Sequence, residues 1–296
     1  MEYKRLFDCI EHQLQHFPTD EMLVSKVNGT WVKHSTLEVA QTVNALSAGL
    51  LQLGVSGHDF TPEGSDKIAI ISNNRPEWVF TDLAVQQIGA ILVPLYPTTN
   101  PLEIEFIFNN AAVKYVFVSN QEMYDKINAL RSKVPSLKEI FVFDEIPGTV
   151  HWKTLLQPAD SSFHSQVNAI KATIPTSHLA TIIYTSGTTG VPKGVMLTHL
   201  NLVSNVIAAG DVFQLQGSDT ALSFLPLSHV FERTVLYIYL WRGVTVSFAR
   251  GVETVSEDIK EVKPTVVTAV PRLFEKIYAT INKRVSEAKP LQQKIF

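Results

Sequence analysis

The residue types best suited to chemistry are concentrated in residues 184–199. Within residues 185–194 the chain carries three glycines, four hydroxyl side chains and one lysine. The glycines are Gly187, Gly190 and Gly194, the hydroxyls belong to Thr185, Ser186, Thr188 and Thr189, and the lysine is Lys193. Glycine lets backbone N–H groups approach an anion, hydroxyls add rotatable donors, and lysine adds a positive charge. We interpret this stretch as a loop that holds a triphosphate.

Two simpler explanations of this loop fit the sequence less well. A Gly/Ser/Thr stretch is usually a flexible linker, but a linker seldom places a lysine between proline and glycine and between two buried runs. The ordinary P-loop has the pattern G-x-x-x-x-G-K-[ST]. Counted from Gly187, Pro192 stands where that pattern needs its second glycine, and Gly194 stands where it needs Ser or Thr. The spacing therefore argues against a P-loop.

A second group of candidates lies in residues 225–233, which read LPLSHVFER. The pattern predicts a proline turn at the carboxyl end of a strand, followed by a helix with Ser228 as its N-cap. Ligands bind at the carboxyl ends of parallel strands, so His229 could serve a site there. The helix start disfavours a charged imidazole, so we expect a mostly neutral ring. A core histidine without a chemical role is an equal alternative.

Neither a metal centre nor a serine nucleophile fits this region. His229 and Glu232 are three residues apart and could share a helix face, but the pair lacks the third ligand that zinc or di-iron sites need. A nucleophilic serine would need a G-x-S-x-G turn, and Ser186 has Tyr184 two positions before it. We therefore expect no protein-built metal cluster and no acyl-serine chemistry.

Residues 184–199, with the sequence YTSGTTGVPKGVMLTH, resemble the signature loop of the AMP-forming adenylate enzymes. This superfamily contains acyl-CoA synthetases, luciferases and the adenylation domains of peptide synthetases. Residues 73–78 and 89–97 resemble its amino-terminal region. Residues 225–233, together with 270–278 (VPRLFEKIY), resemble its long-chain fatty acid branch in particular.

The resemblance implies ATP, Mg²⁺ and coenzyme A as co-substrates and cofactors, and it implies roles for single residues. Thr185 would reach the metal, Thr188 and Thr189 the phosphates, and Lys193 the departing pyrophosphate. Ser186, Gly187 and Gly190 would complete the nucleotide loop. His229 would line the carboxylate site and the region of Pro271 the acyl channel, so Lys193 and His229 are the catalytic candidates.

Composition limits the classes of partner. The net charge is −3, from 25 basic and 28 acidic residues, and without basic blocks this charge gives no sign of nucleic-acid binding. The single cysteine, Cys9, has no partner for an intrachain disulfide, which fits a reducing compartment. The longest apolar run, residues 235–241, is far below the ~20 residues that span a bilayer. We expect a cytoplasmic protein, and the sequence leaves open peripheral contact with a membrane.

Strand-length and helix-length apolar segments alternate from Lys67 onward, which predicts an α/β fold with doubly wound, mostly parallel sheets flanked by helices. Before them, a helix in residues 3–17 and a hairpin around Asn28-Gly29 are expected. We divide the chain into a first α/β lobe, residues 1–175, and a segment 176–296 that holds the nucleotide loop and starts a second lobe. Residues 144–178 are interpreted as a surface connection, and residues 265–269 as a strand.

The resemblance also indicates what the chain lacks. The family's Tyr-Gly-x-Thr-Glu stretch, its adenine loop, its ribose-binding aspartate and the small carboxyl-terminal domain with the catalytic lysine have no counterpart here. We therefore expect a fragment that does not form acyl-CoA alone. We also expect an open sheet edge, which favours a homo-oligomer.

The preferred function is that of the amino-terminal part of an ATP-dependent long-chain fatty acid–CoA ligase. Such an enzyme converts a carboxylate and ATP to acyl-AMP and pyrophosphate, and then forms a thioester with coenzyme A. Two alternatives stay open: a ligase for another acid, such as an aryl acid or an acyl-carrier substrate, and a non-catalytic binding or scaffold domain.

Overall fold

The computed structural model describes residues 4–158, 161–185 and 190–287. The strands in these ranges form two sheets with helices on their faces. In chain order the strands are β1 Leu23–Val27, β2 Thr30–His34, β3 Lys67–Ile71, β4 Ile91–Leu95, β5 Val113–Val118, β6 Glu139–Val142, β7 Val150–His151, β8 Leu179–Thr185, β9 Lys193–Thr198, β10 Thr220–Ser223 and β11 Thr245–Phe248. The α-helices are α1 Asp8–His16, α2 Thr36–Gln52, α3 Pro76–Gln87, α4 Pro101–Ala111, α5 Gln121–Asn128, α6 Ser162–Thr173, α7 His199–Val212, α8 Val230–Arg242, α9 Val255–Val262 and α10 Pro271–Glu287.

The large sheet has the order β7-β6-β5-β3-β4-β8-β9. All neighbouring strands are parallel except β9, which returns antiparallel to β8. The small sheet has the order β10-β11-β1-β2, and only β2 runs against its neighbour. The predicted α/β class with mostly parallel sheets and an amino-terminal hairpin is confirmed.

Successive strand residues pack against different cores because a strand turns alternate side chains to opposite faces. On β3, Ile68 and Ile70 belong to the core between the two sheets, whereas Ala69 and Ile71 face α4 and α5. A third, smaller core brings Leu222 and Phe224 together with Val255 of α9. The layers are therefore helix, small sheet, helices, large sheet and helices.

Sheet membership does not follow the predicted boundary at residue 175. The hairpin β1–β2 pairs with β11, far along the chain, and thus belongs to the small sheet. Strands β8 and β9, on the other side of the predicted boundary, complete the large sheet. The division at residue 175 stays a prediction as a domain boundary.

Two local predictions were wrong. Residues 144–178 are more than a surface connection, since they contain α6 and a 3₁₀ turn, Trp152–Leu155, whose Trp152 is buried. Residues 265–269 form no strand, and only an isolated bridge links Val266 to Ala221. The 3₁₀ turn packs on α2 so closely that a Cβ at Gly49 would lie 1.8 Å from the carbonyl oxygen of Leu155.

Candidate functional site

The predicted phosphate loop connects two paired strands of the large sheet. Thr185 at the end of β8 lies opposite Lys193 at the start of β9, and Tyr184 lies opposite Gly194. A Cβ on Gly194 would stand 2.8 Å from Cγ2 of Ile182, so any larger residue there would force the Ile182 side chain to shift. Ser186, Gly187, Thr188 and Thr189 lie outside the described residues.

The side chains at both ends of this loop are free to meet a ligand. Thr185 and Lys193 are exposed. Among the described residues, no ion pair or side-chain hydrogen bond involves the Lys193 ammonium. Gly190 has a φ of +80°, a left-handed conformation that suits a residue without a Cβ. The ammonium is thus available at the carboxyl end of β8, beside the loop.

The carboxyl ends of strands from both sheets meet next to this hairpin, and Asn74 joins them. Asn74 follows β3 and donates from Nδ2 to Oγ of Ser223 (3.1 Å), the last residue of β10. It also donates to the carbonyl of Leu225 (2.7 Å) and accepts from the N–H of Leu227 (3.0 Å). The turn in residues 224–229 is therefore held against the large sheet.

A cavity of about 370 Å³ opens at this junction. Its lining is mostly apolar and comes from the end of β4, the turn after β10, the start of α8 and the segment before α10. The lining residues are Tyr96, Leu225, Pro226, His229, Phe231, Glu232, Ala269, Val270 and Pro271. The two predicted sites, the His229 turn and the Pro271 region, therefore face one space.

The cavity lies close to the phosphate loop. Leu92 of β4 pairs with Thr181 of the parallel strand β8. Continuing that register by four residues along both strands sets Tyr96, which lines the cavity, level with Thr185, where the loop begins. The fold therefore brings the predicted phosphate and acid sites together at the carboxyl ends of two neighbouring parallel strands, which is where open α/β sheets bind ligands.

His229, and not Ser228, caps α8. Nδ1 of His229 accepts a hydrogen bond from the N–H of Phe231 (3.1 Å), and a ring nitrogen that accepts carries no proton. Ser228 is buried, and its hydroxyl has no hydrogen-bond partner among the described residues. The predicted Ser228 cap was therefore wrong.

Glu232 is the acidic group of the cavity. Its side chain is 2 % exposed, and Oε1 accepts a hydrogen bond from Oγ of Ser223 (2.6 Å). Burial raises its pKa to about 7, and the Ser223 hydrogen bond opposes that rise. Its other oxygen, Oε2, is buried without a partner among the described residues.

A buried ion pair behind the cavity fixes α8 to α3. Arg233 donates to both carboxylate oxygens of Asp82, from Nε (3.0 Å) and from Nη2 (2.5 Å). Tyr237 and Gln86 donate to the same carboxylate at 2.7 and 2.6 Å. Because Asp82 receives all four bonds, the first turn of α8, with Glu232, has little freedom to shift.

The described residues build no metal cage of their own. They contain no group of three or more His, Cys, Asp or Glu side chains placed to hold an ion. Thr185 offers one exposed hydroxyl, which suits Mg²⁺ only as one ligand of an ion held mainly by phosphate oxygens and water. Its role as metal ligand stays a prediction.

Sequence reasoning missed Asn74, Tyr96, Ser223 and Glu232 as parts of the site. Asn74, Tyr96 and Glu232 lie inside segments that had been singled out, but nothing in the sequence shows that the ends of β3 and β10 touch. Glu232 was considered only as a metal ligand, and its burial in an apolar cavity is visible only in three dimensions.

The chain is similar to curated long-chain acid ligases over nearly its whole length. It is 33% identical to "Long chain acyl-CoA synthetase 6, peroxisomal" of Arabidopsis thaliana, over 98% of this chain and 42% of that protein. It is 31% identical to "Long-chain-fatty-acid--CoA ligase FadD15" of Mycobacterium bovis, over 88% of this chain and 43% of that protein. The chain thus spans less than half the length of these relatives.

Solved structures of more distant proteins share the fold. A long-chain-fatty-acid-CoA ligase (FadD1) of Archaeoglobus fulgidus superposes with a TM-score of 0.71 at 21% identity, over 89% of this chain and 51% of that one. A red-emitting luciferase of Phrixothrix hirtus gives a TM-score of 0.75 at 16% identity, over 91% of this chain and 50% of that one. At such identities the similarity establishes the architecture alone.

The family assignment rests on a match to almost the entire sequence. The sequence model of the family described as "AMP-binding enzyme" covers residues 10–294, which includes both the phosphate loop and the cavity. This match confirms the resemblance seen in the loop, and the chain therefore belongs to the AMP-binding enzyme family.

Proposed function

We propose that this chain is the part of an ATP-dependent long-chain fatty acid–CoA ligase that holds the nucleotide phosphates and the acid. One observation supports the proposal most directly: an exposed lysine beside a Gly/Thr loop lies at the same sheet edge as a mostly apolar cavity with three polar side chains. A phosphate-binding loop alone would fit many nucleotide enzymes. The adjoining acid-sized cavity favours acyl activation.

The chemistry of acyl activation suits these residues. A carboxylate must attack the α-phosphate of ATP, and both reactants are anions, so catalysis depends on positioning and charge neutralisation. Lys193 would neutralise the β- and γ-phosphates and the departing pyrophosphate. Thr188 and Thr189 would donate hydrogen bonds to the phosphates, and Ser186, Gly187 and Gly190 would complete the loop.

The cofactors belong to the same proposal. Mg²⁺, when bound, would screen the negative charge of the triphosphate, with the hydroxyl of Thr185 as a protein ligand. Coenzyme A would supply the thiol that takes the acyl group from the adenylate. His229 lines the cavity with an exposed ring, where it would contact the carboxylate of the acid.

The acid is proposed to be a long-chain fatty acid, because the names of the curated relatives specify long-chain acids and the mostly apolar cavity walls suit an acyl chain. An aryl acid is the second candidate within the same reaction. ATP–pyrophosphate exchange by the complete protein that contains this chain separates the two. We expect exchange with palmitate and little with benzoate, and the reverse order would overturn the fatty acid assignment.

Location and assembly complete the proposal. None of the helices in the described ranges has the length and apolar content needed to cross a membrane. Cys9 is buried and forms no disulfide, which supports a location in the reducing cytoplasm, with peripheral membrane contact as the alternative.

At the edge of the large sheet, β9 exposes Val195 and Met196, which supports the predicted homo-oligomer.

A further inference from the structure

Glu232 is a buried acid whose one free oxygen has no bonding partner in the described part of the chain. Its exposed fraction is 2 %, and Oε2 is fully enclosed, yet the residue lines the cavity. A buried polar atom without a partner is costly, so natural proteins seldom keep one without a reason. A ligand in the cavity would supply the missing partner.

The surroundings fix the direction in which Glu232 can bond. The hydroxyl of Ser223 donates a hydrogen bond to Oε1 of Glu232 and accepts one from Asn74, which joins the two sheets. The next residue along the helix, Arg233, is locked to Asp82. With Oε1 held by Ser223, Oε2 is the carboxyl oxygen left without a partner among the described residues. It is enclosed while the cavity is empty, so a guest in the cavity meets it once the carboxyl group turns toward that guest.

No cation among the described residues compensates Glu232. Burial is the main influence on the pKa of Glu232, and the hydrogen bond from Ser223 is the second. Arg233, the next residue in the chain, is paired with Asp82 instead. The titratable groups that share the cavity are His229 and Tyr96, and Tyr239 lies close enough for the charge of Glu232 to add to the rise in its own pKa. The apolar walls therefore favour the protonated acid, which is a hydrogen-bond donor.

We propose that protonated Glu232 donates a hydrogen bond from Oε2 to one carboxylate oxygen of the acid substrate bound in the cavity, and so positions the other oxygen for attack. No covalent bond changes at Glu232, and the proton stays between the two carboxyl groups. This inference rests on the proposed function, because it assigns one contact within the same acid site.

Two carboxyl groups can share one proton, whereas two ionised carboxylates at the same distance repel each other. Substrate and proton therefore bind to the site together, and deprotonating Glu232 weakens acid binding. A neutral ligand of the same shape escapes this repulsion. The contact would also select for carboxylic acids over alcohols or amines that fit the same apolar walls.

The test measures binding of decanoate and of decanamide to the complete protein from pH 6 to pH 9, a range in which free decanoate is ionised. For decanoate we expect the Kd to rise about fiftyfold between pH 7 and pH 9, as follows from linkage with a pKa of about 7. The Kd of decanamide should stay constant. In Glu232→Gln the amide donates at every pH, so the decanoate dependence should flatten.

Two further variants sharpen the outcome. Ser223→Ala removes the hydrogen bond that lowers the pKa of Glu232, so the inflection should move to higher pH. Glu122→Gln, at an exposed position of α5, should behave as wild type. The matching kinetic readout is KM for the acid, which should follow the same pH dependence, while kcat changes less.

The possible results separate this inference from the proposed function. If neither ligand binds, the cavity is not an acid site and both are wrong. If decanoate binds with a pH-independent Kd, or if Glu232→Gln keeps the wild-type dependence, only the role of Glu232 is wrong. An infrared pH titration adds a readout without any ligand, since the carbonyl band of a protonated acid should vanish near pH 7 in wild type and be absent in Glu232→Gln.

Discussion

Asp82 and Arg233 are the most demanding pair of residues in the chain, because each side chain is only 1 % exposed. Removing ions from water is expensive, and the cost is recovered only when every charge finds partners. Asp82 has them, in Arg233, Tyr237 and Gln86. This network carries no predicted chemistry, but it fixes the helix that presents His229 and Glu232.

Breaking the pair should destabilise the protein strongly. Asp82→Ala leaves the Arg233 guanidinium buried without its counter-ion, and we expect the free energy of unfolding to fall by about 3–5 kcal/mol. Urea denaturation measures the change. The double variant Asp82→Leu with Arg233→Met should lose less than Asp82→Ala alone, because no buried charge remains. A single variant within ~1 kcal/mol of wild type would show that the ion pair is unimportant.

Sequence reasoning at this scale recognised residue types and spacing but not burial. Lys193 and His229 were found because a loop motif and a helix start are local features. Glu232 escaped because an acid in the first turn of a helix is usually solvated. Its apolar walls come from residues about 40 positions further on, Ala269 and Val270, which no local pattern connects to it.

Among the elements, α2 shows how a local signal sets a helix boundary. Ser35 accepts from the N–H of Glu38, and the Glu38 carboxylate accepts from the N–H of Ser35, so the two residues form a capping box. Both bonds satisfy N–H groups that the first turn leaves open. The carboxylate accepts from the Ser35 N–H (2.7 Å) and also from the Ser35 hydroxyl (3.1 Å), and these two bonds lower the pKa of Glu38.

We expect Ser35→Ala to lower the free energy of unfolding by about 1 kcal/mol through the lost cap. Because the Glu38 pKa is lowered on folding, its contribution is present above the ordinary pKa of a glutamate, about 4.3, and is lost as the pH falls. The difference between Ser35→Ala and wild type should therefore shrink in acid. A difference that stays constant from pH 7 to pH 3 would show that the Ser35 hydroxyl does not stabilise the ionised Glu38 carboxylate, and equal stability of the two proteins at pH 7 would contradict the capping role.

The contact between α2 and the 3₁₀ turn gives a second prediction about elements. A Cβ at Gly49 would collide with the Leu155 carbonyl, which belongs to the backbone and cannot rotate away. We expect Gly49→Ala to destabilise by about 3 kcal/mol, the upper end for overpacked cores, despite the better helix propensity of alanine. Gln41→Ala, on the exposed face of α2, should change thermal stability little. Equal melting temperatures for the two variants would argue against the close packing.

Most elements were predictable because their signals are local, and the exceptions have physical causes. Helix α6 carries Phe163, Val167 and Ile170 at helical spacing, and all three pack on the core. This signal was overlooked because prolines at positions 147, 158 and 175 suggested a surface connection. Residues 265–269 have strand-like composition and meet the edge strand β10, but the contact is limited to Thr265 and Val266. Composition indicates that a segment can pair, but it does not show how many residues will do so.

On the scale of the whole molecule, the buried side chains of His199 and Glu232 should make the free energy of unfolding change with pH in opposite directions. Burial lowers the pKa of His199 well below its usual value, so its contribution is lost as the pH falls below about 6.5, where the unfolded chain takes up a proton. Glu232 has a raised pKa of about 7, so its contribution is present in acid and is lost as the pH rises from about 4.3 to 7. Between about pH 4.3 and pH 6.5, therefore, the gain in stability with pH from His199 opposes the loss from Glu232.

Replacing one of these two residues should reveal the pH dependence of stability that the other one causes. Between pH 5 and pH 6.5 the slope of unfolding free energy against pH should become more positive in Glu232→Gln and more negative in His199→Gln, each by up to about 1.4 kcal/mol per pH unit. Urea titrations at several pH values give these slopes. Unchanged slopes in both variants would mean that neither group titrates differently on folding.

The arrangement of the sheets was the least predictable feature. The alternation of strands and helices indicates parallel sheets, but it does not say that the hairpin β1–β2 joins a sheet whose other strands follow residue 219. Such long-range pairing depends on which edge is free when the chain collapses. The site lies at the junction that this pairing creates, so its composition was only half visible in the sequence.

The central claim is that Lys193 and its loop hold the phosphates of ATP during acid activation, and one measurement tests it most directly. ATP–pyrophosphate exchange with palmitate is compared for the complete protein, its Lys193→Ala variant and the control Lys260→Ala, which changes an exposed lysine of α9. The free energy of unfolding of both variants should lie within ~0.5 kcal/mol of the wild-type value, since both lysine side chains are exposed. We predict that Lys193→Ala loses about a hundredfold in exchange rate and Lys260→Ala almost nothing. Exchange within about twofold of wild type in a folded Lys193→Ala protein would contradict the account.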